Sequence, residues 1–332
     1  MSARVLRITA GLGVSTVLLA LYSLTRGATE LNLASLISAP SDSPLAIILW
    51  ELRLPRTLLA GVLGAGLGCA GAALQALFRN PLAEPGVLGV SSAAALGAVT
   101  AFYSGLTAFS LLALPIGGLC GALLVTALLL AVARRVGTAH VTLLLAGIAL
   151  NSGAGALVAL LLNLAPNPYA LYEISFWLMG SVTDRGLEHL ALAAPPIALG
   201  ILLLVGAARS LDALALGEET ARSLGIDPIR LARRVVLGTA LAVGPGVAVA
   251  GAIGFIGLLV PHAVRALAGT ARPAVVVPLS ALAGAGGLLG VDLLARLPLA
   301  NAELKLGVMT GLIGAPLFFA LALRVRGAVV DR

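Results

Sequence analysis

Few residues of this chain could carry out covalent chemistry. Among its 332 residues are three histidines, two cysteines and 14 acidic residues. They form no carboxylate pair within an apolar run, no His and Cys spacing typical of a metal site, and no Ser–His–Asp arrangement. The phosphate-binding pattern G-x-x-x-x-G-K-[ST] does not occur either, because the single lysine, Lys305, is followed by leucine. We therefore predict no catalytic residue, no metal site and no ATP hydrolysis by this chain itself.

Asp292 is the one acidic residue inside an apolar run, and it lies near the end of that run. Arg296 follows four residues later on the same helix face, which favours an ion pair between the two. A proton-driven transporter would need an acid deeper in a span, so this position counts against a secondary transporter. Cys69 and Cys120 also lie in apolar runs, and we expect both to be small buried side chains.

The elements that position these residues are apolar runs. Hydrophobic residues make up 60% of the chain and charged residues 11%, against roughly 25% charged in soluble domains. A helix needs about 20 apolar residues to cross a bilayer. Ten such runs occur, at residues 8–24, 57–78, 87–103, 111–133, 142–164, 190–208, 235–253, 255–267, 274–294 and 306–323. We predict one all-α polytopic membrane domain, residues 1–332, with about ten transmembrane helices.

Basic residues indicate the orientation. With the N-terminus inside and the spans alternating, fifteen basic residues lie inside and six outside, and the six are Arg26, Arg53, Arg56, Arg185, Arg296 and Lys305. This excess follows the positive-inside rule and predicts that both termini are cytoplasmic. The net charge of +7 is therefore interpreted as membrane topology, and nucleic acid is not expected as a partner.

Smaller features complete this picture. Residues 171–179 favour a short interfacial helix on the outer side. The spacings at residues 64–68, 117–121 and 286–290 place glycines four apart, which lets helix backbones approach closely. The eighth run is short and counts as a span only if the seventh ends near residues 251–254.

The only long inner loop, residues 210–231, contains a predicted short helix. It has acidic residues at its start, a basic residue towards its end and a glycine suited to the C-terminal cap, namely Glu218, Glu219, Arg222 and Gly225. Ala221 and Leu224 are predicted to share one apolar edge, which could fill a groove on a cytoplasmic partner. A merely solvated loop helix is the alternative that these residues leave open.

Several segments closely resemble the permease subunits of bacterial ABC importers for iron–siderophore chelates, haem and cobalamin. They are RLPRT at residues 53–57, QALFRNPLAEPG at 75–86, LLAG at 144–147, ALGEE at 215–219, AGAIGFIGL at 250–258, Pro261-His262, and GAP at 314–316. They follow the family's order from about residue 50 to the C-terminus. One departure is visible, since the family commonly has Glu-Leu-Pro-x-Gly where residues 303–307 are ELKLG.

The resemblance implies a type II ABC-importer permease in the bacterial inner membrane. It implies a homodimer with the substrate path along its axis, two ATP-hydrolysing subunits below and a periplasmic substrate-binding protein above. No cofactor is expected in this chain, and ATP and Mg would bind to the ATPase subunits. Iron–siderophore or haem is the first expectation for the cargo and cobalamin the second. A secondary transporter with inverted repeats is the alternative.

The resemblance also implies roles for particular residues. Segment 210–231 would be the ATPase-coupling segment, with Glu218, Glu219, Ala221, Arg222, Leu224 and Gly225 as its helix. Acidic groups of the binding protein would dock on Arg53, Arg56 and Arg296. The cytoplasmic gate would lie in two short inner connections that carry Asn80, Leu82, His140 and Thr142. For Pro261-His262 we favour a structural role over ligand binding.

Overall fold

The computed structural model describes residues 3–27, 43–110, 112–136, 140–165, 167–297 and 303–330. Within these ranges the chain is helical, with short connections and no β-strand. A short helix at Pro44–Ile47 and a π-helical turn at Ile48–Arg53 lead into the second long helix. The helices named below are α1 (Ala3–Thr25), α2 (Leu54–Leu77), α3 (Val90–Tyr103), α4 (Ala113–Val136), α5 (His140–Asn163), α6 (Pro168–Leu178), α7 (Leu187–Ala215), α8 (Glu218–Ser223), α9 (Pro228–Ala250), α10 (Ile256–Ala268), α11 (Pro273–Ala295) and α12 (Leu306–Val330).

Each of the ten predicted spans coincides with a helix, namely α1 to α5, α7 and α9 to α12. In the described part of the chain, seven helices are long and apolar enough to cross a membrane, and three further apolar helices are shorter. The prediction of an all-α polytopic membrane protein with about ten transmembrane helices is confirmed. The predicted interfacial helix is α6, which begins three residues earlier than expected.

Helix α2 is the buried centre of the bundle and packs against α11, α7, α10 and α9. Its glycines allow this contact: a Cβ built on Gly64 would lie 2.2 Å from the carbonyl oxygen of Gly284, and one on Gly68 equally close to that of Ser280. The predicted close approach at residues 64–68 is therefore confirmed.

The other two glycine spacings differ in outcome. Gly117 and Gly121 lie against the backbone of α3, as predicted. Gly286 meets Thr16 of α1, but nothing lies within 4 Å of a Cβ built on Gly290. The prediction for Gly290 was wrong, because a small-residue spacing does not tell which face of a helix has a neighbour.

Two of the spans are short and begin with an interrupted backbone. Helix α9 ends at Ala250, as predicted for residues 251–254, and Phe255 has a left-handed φ of +65° before α10 starts. Helix α3 has 14 residues and α10 has 13, so each is only about 20 Å long. That is less than the roughly 30 Å hydrocarbon core. Residues 78–89 and 251–255 connect these two short helices to the helices before them.

The inner loop predicted at residues 210–231 is shorter in the structure. Helix α7 continues to Ala215 because Leu211 and Leu214 are fully buried and extend its packed face. Helix α9 starts at Pro228, where the Asp227 carboxylate accepts hydrogen bonds from the next two free backbone N–H groups. Only residues 216–227 connect the two helices.

The cysteines also differ from expectation. Cys69 is fully buried in α2, as predicted, but Cys120 is exposed on α4. It lines an open apolar cavity of about 890 Å³ between α3, α4 and α5. The prediction for Cys120 was wrong because an apolar run looks the same whether a face meets lipid or protein.

Candidate functional site

The short helix α8 occupies the connection between α7 and α9. Gly217, with a φ of +117°, precedes it, and Glu218 and Glu219 form its first turn. The guanidinium of Arg222 lies 3.9 Å from the Glu218 carboxylate. The helix closes where Gly225, with a φ of +80°, lets the N–H of Ile226 donate to the Ala221 carbonyl over 3.0 Å. This is the glycine C-cap that the sequence predicts.

The apolar edge of α8 is not the one predicted. Ala221 is fully buried and belongs to the main core beside α7, whereas Leu224 is 61% exposed and Leu216 is 69% exposed. Ala221 therefore anchors α8 to the permease, and the two leucines that flank α8 offer the exposed apolar surface. The prediction that Ala221 and Leu224 share an exposed edge was wrong. A spacing of three residues places two side chains near each other on a helix, but it does not tell which side of so short a helix is buried.

Residues 78–89 connect α2 to α3, and the part after the helix cap Phe78, residues 79–89, is called the inner link. Asn80 and Leu82 lie together in it, since the Asn80 side-chain oxygen accepts a hydrogen bond from the N–H of Leu82 over 2.9 Å. The Leu82 side chain is exposed. Further along, Gly89 packs against the backbone of Asn151 in α5. The inner link therefore rests on α5 and presents Leu82 at its surface.

The second predicted gate segment, residues 138–142, is not entirely a loop, because its last residues are helical. His140 opens helix α5 and Thr142 lies exposed in its first turn. Residues 137–139 lie outside the described part of the chain. The structure thus places Asn80 with Leu82 in one connection and His140 with Thr142 on one helix start.

The three arginines predicted to dock a binding protein come together at the opposite end of the bundle from α8, which is the predicted outer side. The Asp292 carboxylate, 1% exposed, accepts hydrogen bonds from Arg56 Nε and Nη2 at 3.1 and 3.0 Å and from Arg296 Nε at 3.0 Å. The predicted pair of Asp292 and Arg296 is confirmed, and Arg56 is an additional partner. One buried carboxylate therefore holds two guanidinium groups.

Further contacts extend this outer cluster. Arg296 also donates to the Ser23 hydroxyl over 2.8 Å, and Arg53 donates to the Leu24 carbonyl over 2.9 Å. Arg56 Nη1 also donates to the Glu303 carboxylate over 2.8 Å, and the Glu303 side chain is 39% exposed. The cluster therefore ties α1, α2, α11 and the residues before α12 to each other.

This arrangement changes the expectation for docking. The Arg53, Arg56 and Arg296 side chains are mostly buried and already paired within the chain. They are not free surface charges, as the outer position of all three had suggested. Glu303 occupies the Nη1 edge of Arg56, and docking of a partner at these arginines stays a prediction.

A second feature on the predicted outer side is a cavity of about 390 Å³ next to α6. Lys305 lies in its wall, with Nζ 4.2 Å from the centre of the Phe176 ring, a cation–π contact. Burial lowers the pKa of Lys305, partly offset by Asp184. Burial likewise lowers the pKa of Arg185. Lysine at position 305, where the family commonly has proline, is thus accommodated. Helix α12 still begins at the next residue, and the Lys305 amine contacts α6.

A polar group that the sequence analysis missed is Gln75 in α2. Its amide donates to the carbonyl oxygens of Gly257 and Leu258, and its oxygen accepts a 2.6 Å bond from Arg265. A lone glutamine in an apolar run could have been noticed as a polar group needing partners.

Pro261 lies buried within α10, the helix that also carries the partners of Gln75. The described residues contain no group of His, Cys, Asp and Glu that could hold a metal.

Comparisons with known proteins identify the family of this fold. Residues 15–324 match the FecCD transport family. The vitamin B12 import system permease protein of Klebsiella pneumoniae is 40% identical over 284 residues, covering 85% of this chain and 84% of that protein. Its counterpart in Shigella boydii is 41% identical over 318 residues, covering 95% and 94%. That of Vibrio cholerae is 43% identical over 279 residues, covering 83% of each.

A solved structure gives the same result for the fold. It is described as an inward-facing conformation of a metal-chelate type ABC transporter. The TM-score is 0.86 at 34% sequence identity, and the match covers 96% of this chain and 99% of that one.

The bundle of membrane-length helices and these relatives define the class: the chain is a multi-pass membrane permease of an ABC importer, a transport subunit and not an enzyme. It belongs to the FecCD transport family. The alternative of a secondary transporter is thereby set aside.

Proposed function

We propose that this chain is the permease subunit of a cobalamin importer. The observation that carries the proposal is the identity of 40–43% with vitamin B12 import permeases over most of both chains. This order of cargoes differs from the sequence analysis, which ranked iron–siderophore or haem first. The residues of the chain do not encode the choice directly, because small apolar side chains suit any large chelate.

In this proposal the working unit is a homodimer in the bacterial inner membrane, with both termini in the cytoplasm. Two ATPase subunits, which bind ATP and Mg, lie on the cytoplasmic side, and a periplasmic binding protein delivers cargo on the other. Support comes from the positive-inside bias of the basic residues. The relatives and the solved ABC transporter also support it.

Helix α8 is proposed as the part that the ATPase subunits contact. It is anchored by buried Ala221 and flanked by exposed Leu216 and Leu224. A helix held on one side, with apolar side chains exposed beside it, suits a groove on a partner. The gate is proposed at Asn80 and Leu82 of the inner link and at His140 and Thr142 of α5, with alternating access between the two faces.

The cargo is tested in proteoliposomes that contain the permease, its ATPase subunits and its binding protein. We expect ATP-dependent uptake of radiolabelled cobalamin, competed by unlabelled cobalamin but not by a ferric siderophore or haem. An ATPase subunit with its phosphate-binding lysine replaced serves as the control. ATP-dependent uptake of haem or a siderophore, without cobalamin, would overturn the cargo assignment and leave the ABC-importer class intact.

A further inference from the structure

Arg79, the first residue of the inner link, connects it to the end of helix α7. Its Nη2 donates a 2.5 Å hydrogen bond to the carbonyl oxygen of Leu214, a residue 135 positions away. Leu214 is fully buried and lies one residue before the end of α7. Glu218, the first residue of α8, follows four residues later. The Arg79 guanidinium therefore bridges the base of α8 and the segment that carries Asn80 and Leu82.

The backbone conformation at Arg79 is unfavourable for a residue with a side chain. Arg79 has a left-handed φ of +48°, and the N–H of Asn80 donates to the Gln75 carbonyl over 3.1 Å. This six-residue closure is the helix end that normally takes glycine at the left-handed position. A side chain with a Cβ is strained there. Glycine would relieve the strain, so an arginine at this position points to a role for its guanidinium.

The far part of the inner link is fastened as well. The Glu84 carboxylate lies close to the backbone of Phe255, just before α10. Pro85 packs so closely on Gly257 that a Cβ there would lie 2.9 Å from the proline ring. The link is thus held by α10 at Glu84 and Pro85 and by α7 at Arg79.

We infer that Arg79 is a positioning residue that couples α8 to the cytoplasmic gate. The inference rests on the proposed function, in which α8 contacts the ATPase subunits and Leu82 lies at the gate. A charged donor is suited to this contact, because the C-terminal carbonyls of a helix carry partial negative charge. The Leu214 carbonyl also accepts a 3.0 Å hydrogen bond from the N–H of Gly217, so the guanidinium is its second donor. When α7 and α8 shift, the guanidinium moves the start of the link with them.

Three substitutions separate the side chain from the backbone. Arg79→Gly and Arg79→Asn both tolerate the left-handed conformation and remove the guanidinium. Arg79→Lys keeps a charged donor on a long side chain. Each is combined with Leu82→Cys in a background with Cys69→Ala and Cys120→Ala, and the permease is assembled with its ATPase subunits. Thiol labelling of Leu82→Cys is then measured with and without bound ATP.

We expect labelling with Arg79 present to differ between nucleotide states, and Arg79→Lys to keep part of the difference. With Arg79→Gly or Arg79→Asn the ATPase subunits should still co-purify, but the difference in labelling rate should shrink by about tenfold, the order expected for loss of one charge-assisted hydrogen bond. If the Arg79→Gly variant kept the full difference in labelling rate between nucleotide states, the inference would be overturned. It would also be overturned if the permease with Arg79 showed no such difference. Since no cargo is needed, failure of cobalamin uptake and failure of this inference are distinguishable.

Discussion

Asp292 is the residue on which the outer cluster depends. Its carboxylate is 1% exposed and bonds both Arg56 and Arg296, whose side chains are 13% and 5% exposed. Burying a charge is costly unless it is paired and hydrogen-bonded. Without this carboxylate, two guanidinium groups would face each other in a poorly solvated place.

Replacing Asp292 with asparagine is therefore expected to destabilise the permease by about 3–5 kcal/mol, the cost of breaking a buried ion pair. Thermal unfolding of the purified protein in detergent measures this loss. The matched control is Glu303→Gln, since Glu303 pairs with the same arginine but is 39% exposed; an exposed pair is worth about 0–1 kcal/mol. Equal unfolding temperatures for wild type and Asp292→Asn would contradict a structural role.

At this scale the sequence predicted local partners and missed distant ones. The pair of Asp292 and Arg296 follows from a spacing of four on a helix. The bond from Arg56 spans 236 residues and that from Arg79 to Leu214 spans 135. The sequence around Arg56 does not tell whether its side chain is buried or exposed. A buried arginine and an exposed one can equally well precede an apolar run on the predicted outer side.

At the scale of single elements, α8 combines a buried side with an exposed one. We expect Leu224→Asp to leave the permease folded and to abolish co-purification of the ATPase subunits, because it puts a charge on the proposed contact. Ala221→Asp is the matched control: it buries a charge against α7 and should prevent stable folding. Co-elution of both ATPase subunits with a folded Leu224→Asp permease would remove α8 as the coupling helix.

Close helix contacts give a second test of the elements. A Cβ on Gly71 of α2 would lie within 2.6 Å of several backbone atoms of Gly257. Gly71→Ala should therefore cost about 1–3 kcal/mol by overpacking. Gly290→Ala, with open space around it, should gain up to about 1 kcal/mol of helix propensity. Thermal unfolding of the two variants in one detergent compares them, and a stable Gly71→Ala variant would refute the close contact.

Most elements could be predicted from the sequence because hydrophobic length and Gly or Pro positions determine them locally. The break at residues 251–254, the glycine cap after α8 and the helix α6 are examples. The buried side of α8 and the exposure of Cys120 depend on which neighbour covers a face. Composition does not encode that, since lipid-facing and core-facing residues are equally apolar.

At the scale of the whole molecule, the outer cluster is where the sequence predicts that a binding protein docks. Arg56 has two carboxylate partners of different kinds: Asp292 is buried, whereas Glu303 is partly exposed and precedes α12. An acidic side chain of the binding protein would compete with Glu303 for Arg56 Nη1. Docking would then displace a contact that holds the start of α12.

Glu303→Gln is accordingly expected to strengthen association with the binding protein. The gain should reach up to about fivefold in Kd, since an exposed ion pair contributes about 0.2–1 kcal/mol. It should diminish at high salt, because the Debye length falls from about 8 Å at physiological ionic strength to about 3 Å at 1 M, which weakens exposed ion pairs. Surface-immobilised permease in lipid nanodiscs, titrated with cargo-loaded binding protein, gives the Kd. The same substitution with Arg56→Gln should bring no gain, which separates competition at Arg56 from a general change in surface charge. Unchanged or weaker association of the Glu303→Gln permease would mean that Arg56 is a purely internal residue and that docking relies on other groups.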